Sequence, residues 1–203
     1  MPSDPLFLTR RAFGAGLAAG AGFLAMALPV RALTVDQARA LIDKVVAEVN
    51  AIISSGASEA QMLDAFEKVF ATYADVPVVG RKALGPAYGT ATPAQQAAFT
   101  KAFQGYISRK YGRRFREFIG GRIEVKGARP VKSFYEVDST VYLQGEAPFQ
   151  VLWDVSDKSG RLLFFNLIIE GVDMMISERT EVQSMLDQNG GDIDKLIAAL
   201  NAA

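Results

Sequence analysis

The chain has 203 residues, 22 basic and 22 acidic side chains, no histidine and no cysteine. Those absences exclude disulfides, thiol nucleophiles, iron–sulfur clusters, thiolate zinc sites, imidazole bases and histidine-held haem. With 50 % apolar and 22 % charged residues the composition is globular, and a net charge of zero argues against a protein that coats nucleic acid.

The chain opens with Thr9-Arg10-Arg11-Ala12-Phe13 and a weakly apolar run to Val30, followed by Arg31-Ala32. Paired arginines, a mild apolar centre, Pro29 and small residues near Ala32 predict an export signal of twin-arginine type over residues 1–32. Cleavage near Ala32 would place the protein in the periplasm. An uncleaved membrane anchor is the alternative. Eleven of the nineteen residues from Ala12 to Val30 are Ala or Gly, which makes a poor permanent span. Residues 33–203 are then 171 residues with 19 basic and 21 acidic groups, enough to bury a core as one domain.

The mature chain begins with helical periodicity. Val35, Ala38, Leu41, Ile42, Val45, Val46, Val49, Ile52 and Ile53 predict an amphipathic helix that Thr34 can cap. Ser58 and Gln61 form a capping box for a second helix carrying Met62, Phe66, Val69, Phe70 and Tyr73. A short helix is expected over Val78–Leu84. Thr92 and Gln95, with Pro93 between them, open a long helix expected over Pro93–Phe118, stopped by Gly120-Gly121. Its aromatic residues spread over about half the circumference.

From Gly121 the period becomes two. Strands are expected over Arg122–Val131, Phe134–Gln144, Pro148–Ser156 and Arg161–Ile169, joined by short turns as an antiparallel meander. The fourth is apolar on both faces, so it sits centrally or is covered twice. Helices return over Ser177–Gln188 and Ile193–Asn201, the last capped by Asp192. The fold class is therefore α+β: a curved antiparallel sheet of four strands or slightly more, packed by N- and C-terminal helices.

No catalytic constellation or metal site emerges. Glu136 and Asp138 share a strand face with Thr140 and Gln144, and Asp154 lies on the next strand; a solvated sheet face explains them. The Gly-rich stretches belong to the signal and to the Gly190-Gly191 helix boundary, without phosphate-loop spacing. Arg109, Lys110, Arg113, Arg114 and Arg116 form a basic cluster. It reads either as a solvated face near a helix C-terminus or as a contact for a lipid headgroup or acidic partner. The apolar excess reads either as a tight core or as an internal cavity for a long apolar ligand.

The chain resembles the MlaC-type periplasmic lipid-shuttle proteins, also known as toluene-tolerance auxiliary proteins of an ABC transporter. The resemblance rests on Phe66–Tyr73, Gly85-Pro86-Ala87-Tyr88-Gly89, Thr92–Phe99 and the helix with Tyr106 and Tyr111. It extends through Phe164–Met175, Glu178-Arg179 and Leu196–Leu200. Two departures stand out: Asn166 replaces an aspartate usual in the family, and Asp173 replaces a serine. A twin-arginine signal is also less usual there than a general-secretion signal.

The resemblance implies a monomeric carrier without cofactor, metal or catalysed reaction. It would hold phospholipid, or a hopanoid as in a related branch, in a cavity between sheet and helices. It would exchange lipid with an inner-membrane MCE-domain ABC transporter complex and an outer-membrane lipoprotein–porin complex, and so maintain outer-membrane lipid asymmetry. For the lipid site the inward faces nominate Phe70, Leu84, Tyr88, Phe103, Tyr106, Val141, Val151, Trp153, Phe165, Leu167 and Met175. The alternative from another class is a small-molecule enzyme on a cone-shaped α+β fold, with Asp154 or Glu136 as base.

Overall fold

The computed structural model describes residues 33–203, except the side chains of Arg114, Phe115 and Arg116. The expected export signal lies outside the described residues. Capping dictates where each helix begins. Helix α1, Val35–Ile53, starts at a capping box in which Thr34 and Gln37 exchange hydrogen bonds of 3.0 and 3.2 Å. The same device opens α2, Glu59–Tyr73, at Ser58 and Gln61, and α4, Pro93–Gly112, at Thr92 and Gln95.

Two helices begin earlier than the periodicity indicated. Asp75 caps α3, Val76–Leu84, by accepting from Val78 N, and Pro77 suits the first turn. Asp173 caps α5, Met174–Gln188, by accepting from Ile176 N at 3.1 Å. Both start on an aspartate whose role depends on the preceding chain direction. Helix α6, Ile193–Ala202, is capped by Asp192 as expected.

The long helix is shorter than its pattern. It ends at Gly112, and residues 113–118 tighten into a 3-10 turn. The Arg113 N–H still donates to the Arg109 carbonyl, an α-type bond at the end of the helix. Gly121 then passes so close to β2 that an added Cβ would lie 2.6 Å from the Tyr142 carbonyl oxygen.

The sheet is an antiparallel meander in the order β1-β2-β3-β4-β5. Its strands are Arg122–Val131, Phe134–Tyr142, Phe149–Ser156, Leu163–Ile169 and the two-residue Val172–Asp173. The fifth strand follows a two-residue turn in which Glu170 and Gly171 both have positive φ, 50° and 81°. Positive φ at both turn positions matches the twist of a tight hairpin. A bulge between β3 and β4 pairs Asp154 with Asn166 but Val155 with Phe164, leaving Phe165 as the extra residue. It lets Phe164, Leu167 and Ile169 share one wall despite their odd spacing.

Burial falls into two separate cores. One joins α1 and α2 to the sheet, with Ile42, Val45, Val137, Val141 and Val155 among its most buried members. The other joins α3, α4, α5 and α6 around Leu84, Phe99, Phe103, Val182, Leu196 and Leu200. The long helix α4 packs chiefly on α2, α3 and α6 rather than on the sheet, so its wide aromatic surface is divided among three helices. Helices α1, α3 and α5 meet the strands instead.

Gly121→Ala tests the tight passage into β1. We expect a loss of about 1–3 kcal/mol from overpacking, read by urea denaturation, with an unchanged far-ultraviolet spectrum.

Candidate functional site

A cavity of about 180 Å³ lies on the seam between the two cores. Val45 and Val49 of α1 with Phe66, Val69 and Phe70 of α2 line one side. The sheet supplies Trp153, Phe164, Leu167 and Ile169, with Phe165 and Asn166 beside them. Val79, Ile107, Ser108 and Tyr111 close it from α3 and α4, and Met174, Met175 and Glu178 from the start of α5.

The wall is apolar for identifiable reasons. Trp153 meets Phe164 edge-on at 5.4 Å, and Phe70 reaches Phe164 at 6.3 Å. The Trp153 indole N–H is taken up by Ser139 Oγ at 2.9 Å, and Ser139 in turn donates to the Val151 carbonyl at 3.0 Å. The ring thus presents carbon to the cavity while its polar atom is satisfied within the sheet.

Asn166 joins three elements. Its amide donates to Asp154 and Asp173, each at 3.2 Å, and its carbonyl oxygen accepts from Met175 N at 3.1 Å. An aspartate at this position would set three carboxylates together. The amide instead bridges the two flanking carboxylates, so the pair Asn166 and Asp173 forms a self-consistent replacement for aspartate and serine.

A charged cluster backs the helical wall. Lys110 donates to Glu178 at 2.8 Å and to Glu181. Tyr111 donates to Glu178, and Tyr106 donates to Glu181. Burial works against the Lys110 ammonium, but its bonds to both glutamates outweigh that and raise its pKa. Burial and the hydrogen bond to Glu181 push the Tyr106 phenol up to about 12. Burial and the bond to Glu178 push Tyr111 upward as well.

Of the nominated lipid residues, Phe70, Trp153, Phe165, Leu167 and Met175 line the cavity. Six do not. Leu84, Phe103 and Tyr106 are consumed by the helical core, and Val141 and Val151 by the sheet-side core. Tyr88 lies on a separate open groove with Pro77, Gln96 and Lys101. Inward direction alone does not separate a cavity wall from a filled core. The residues that periodicity passed over include Val45, Val49, Phe66, Val69 and Phe164, all legible as inward but not as cavity lining. Glu178 had a clearer signal: it stands four and eight residues before buried Val182 and Leu186, on the apolar stripe of α5.

The described members of the basic cluster make intramolecular bonds. Arg109 donates to the Leu200 carbonyl at 2.6 Å and Arg113 to the Ala203 carbonyl at 3.1 Å, where cations favour the end of α6. Lys110 is held by the two glutamates. The side chains of Arg114 and Arg116 lie outside the described residues.

The strand carboxylates also differ from expectation. Glu136 is 8 % and Asp154 5 % exposed, so this sheet face is not solvated there. Glu136 is paired across the strands with Asp154 and bound by Arg129 at 2.5 Å. Neither carboxylate lines the cavity. Among the described residues no acidic cluster has the arrangement of a metal site.

The family model for MlaC protein matches residues 39–202. The chain belongs to the MlaC family. A solved structure of a phospholipid-binding protein from Ralstonia solanacearum in complex with a phospholipid is similar to this MlaC-family chain, with a TM-score of 0.70. The identity is 20 %, over 81 % of this chain and 95 % of that one, a likeness that establishes the shared fold.

Two predictions follow from the site's charges. Burial chiefly, with the fields of Glu136 and Asp173, raises the Asp154 pKa despite the Asn166 hydrogen bond. A carboxyl raised in the folded state favours folding below its unfolded pKa and loses that contribution as pH rises through the folded value. Asp154→Asn should therefore melt above the wild type at pH 7, with the gap closing as pH falls through the carboxylate range. Lys110→Met should cost at least about 2 kcal/mol in urea denaturation, because Glu178 is left buried without its cation. Adding Glu178→Gln should recover part of that loss.

Proposed function

We propose that this protein is a periplasmic lipid carrier that holds phospholipid acyl chains in the cavity between its two cores and catalyses no reaction. The observation that carries this reading is an apolar cavity in a chain of the MlaC family. Support comes from the shared fold with a protein described in complex with phospholipid.

Burying an acyl chain is worth about 0.8 kcal/mol per CH₂, so an apolar cleft suffices for retention and the headgroup can stay in water. A volume of about 180 Å³ is below the ~300–1,000 Å³ usual for small-molecule sites. A long chain is therefore accommodated by parting the seam, where few residues belong to both cores. A hopanoid is the alternative ligand of similar apolar character. Transfer follows relative affinity at each station, between an inner-membrane MCE-domain ABC transporter complex and an outer-membrane lipoprotein–porin complex. Residues 1–32 fit a twin-arginine export signal. The alternative of a strand-carboxylate enzyme draws no support from the cavity, since neither Asp154 nor Glu136 lines it.

Organic extraction of the purified protein followed by mass spectrometry should release phospholipid in near-stoichiometric amount. Val69→Trp, which fills the cavity from α2, should carry far less lipid while keeping its helical spectrum. A wild-type protein free of lipid, and unable to take it up from vesicles, would sink the reading.

A further inference from the structure

Two residues that line the cavity each carry one buried oxygen with no partner. Ser108 Oγ on α4 and Glu178 Oε2 on α5 are buried without a hydrogen bond. Ser108 is 8 % exposed and Glu178 4 %, and both residues line the cavity. The other polar lining groups are engaged: Tyr111 donates to Glu178 Oε1, and Asn166 uses both ends of its amide. Ser108 stands three residues before Tyr111 on the same face of α4, and Tyr111 donates to Glu178, so Ser108 and Glu178 stand on adjoining helices of the cavity wall. A buried acceptor left unpaired is costly and calls for a partner.

We propose that this wall is a subsite for a neutral hydroxyl on the buried, apolar part of the bound lipid. Glu178 Oε2 accepts from that hydroxyl, and Ser108 supplies the second hydrogen bond. The inference rests on the lipid-carrier reading and names the ligand class more narrowly.

Charge selects the hydroxyl over other groups. Lys110 already bonds Glu178 Oε1 at 2.8 Å, so a ligand ammonium would be a second cation at a carboxylate that has one. A phosphate or carboxylate would meet Glu178 with Glu181 close behind, both bound to the same lysine. A methylene would leave both polar atoms unpaired. A hydroxyl both donates and accepts, and it adds no charge to bury.

Trp153 lines the cavity and is the only tryptophan of the chain, so its fluorescence reports occupancy. Titrations compare palmitic acid with its β-hydroxy, mid-chain hydroxy and ω-hydroxy forms. One hydroxylated form should bind about tenfold tighter than palmitic acid. Ser108→Ala should cut that preference to below about threefold, and Ser108→Thr should restore it. Equal affinity for all four acids overturns the hydroxyl subsite and leaves the carrier reading standing. A preference that survives Ser108→Ala overturns the assigned position. Failure to bind any of the four by a protein that takes up phospholipid from vesicles overturns the subsite alone, and failure in both assays overturns both readings.

Discussion

The structure depends on one packing constraint: its apolar residues condense into two cores that meet without filling their seam. Helix α1 covers the sheet and α2 packs on α1 within the sheet-side core, while α3 to α6 pack largely on one another. Phe70 is packed against both cores. Where the two surfaces face each other, Trp153, Phe164 and Leu167 look across at Ile107 and Met175 with space between them. Interiors normally close such gaps, because unfilled volume forfeits dispersion contacts. Widening such a gap gives up contacts across the seam and leaves those within each core in place.

The polar network around the seam shows how the gap stays defined. Lys110 cross-links α4 to Glu178 and Glu181 of α5, and Tyr106 and Tyr111 complete the same two carboxylates. Gln183 of α5 donates to the last carbonyls of α3, at 3.2 Å to Ala83 and 2.9 Å to Leu84. Asn166 ties β4 to the start of α5. These bonds hold the cavity walls through their polar residues, Tyr111, Asn166 and Glu178 among them, and leave the apolar side chains unengaged. The helical wall thus keeps its position without using the contacts that a ligand needs.

Much of the fold was legible along the chain. The capping pairs Thr34–Gln37, Ser58–Gln61 and Thr92–Gln95 mark helix starts because their bonds are local. The alternation from Arg122 onward marks the strands because one face must be buried. The fifth strand and the early start of α5 were not legible. Val172 and Asp173 are too few for a period, and Asp173 becomes a cap only once the Glu170-Gly171 turn has reversed the chain. The family resemblance read from Gly85–Gly89, Thr92–Phe99 and Phe164–Met175 was met by a family match over residues 39–202. The cavity was half legible: Phe70, Trp153, Phe165, Leu167 and Met175 were nominated, while Leu84, Phe103 and Val141 point inward into volume that is already filled.

By itself the sequence determined that there is no histidine or cysteine chemistry, where the helices and strands run, and which family the chain resembles. These follow from residue identity and from hydrogen bonds and periodicities within a few positions. Only the tertiary structure decided that α4 leaves the sheet, that Glu136 and Asp154 are buried away from the cavity, and that most of the described basic cluster is spent on intramolecular bonds. It also decided which inward residues border empty volume and that two of them, Ser108 and Glu178, each keep one buried oxygen without a partner. A cavity is the space two packed surfaces leave between them, and such space has no periodicity in either surface.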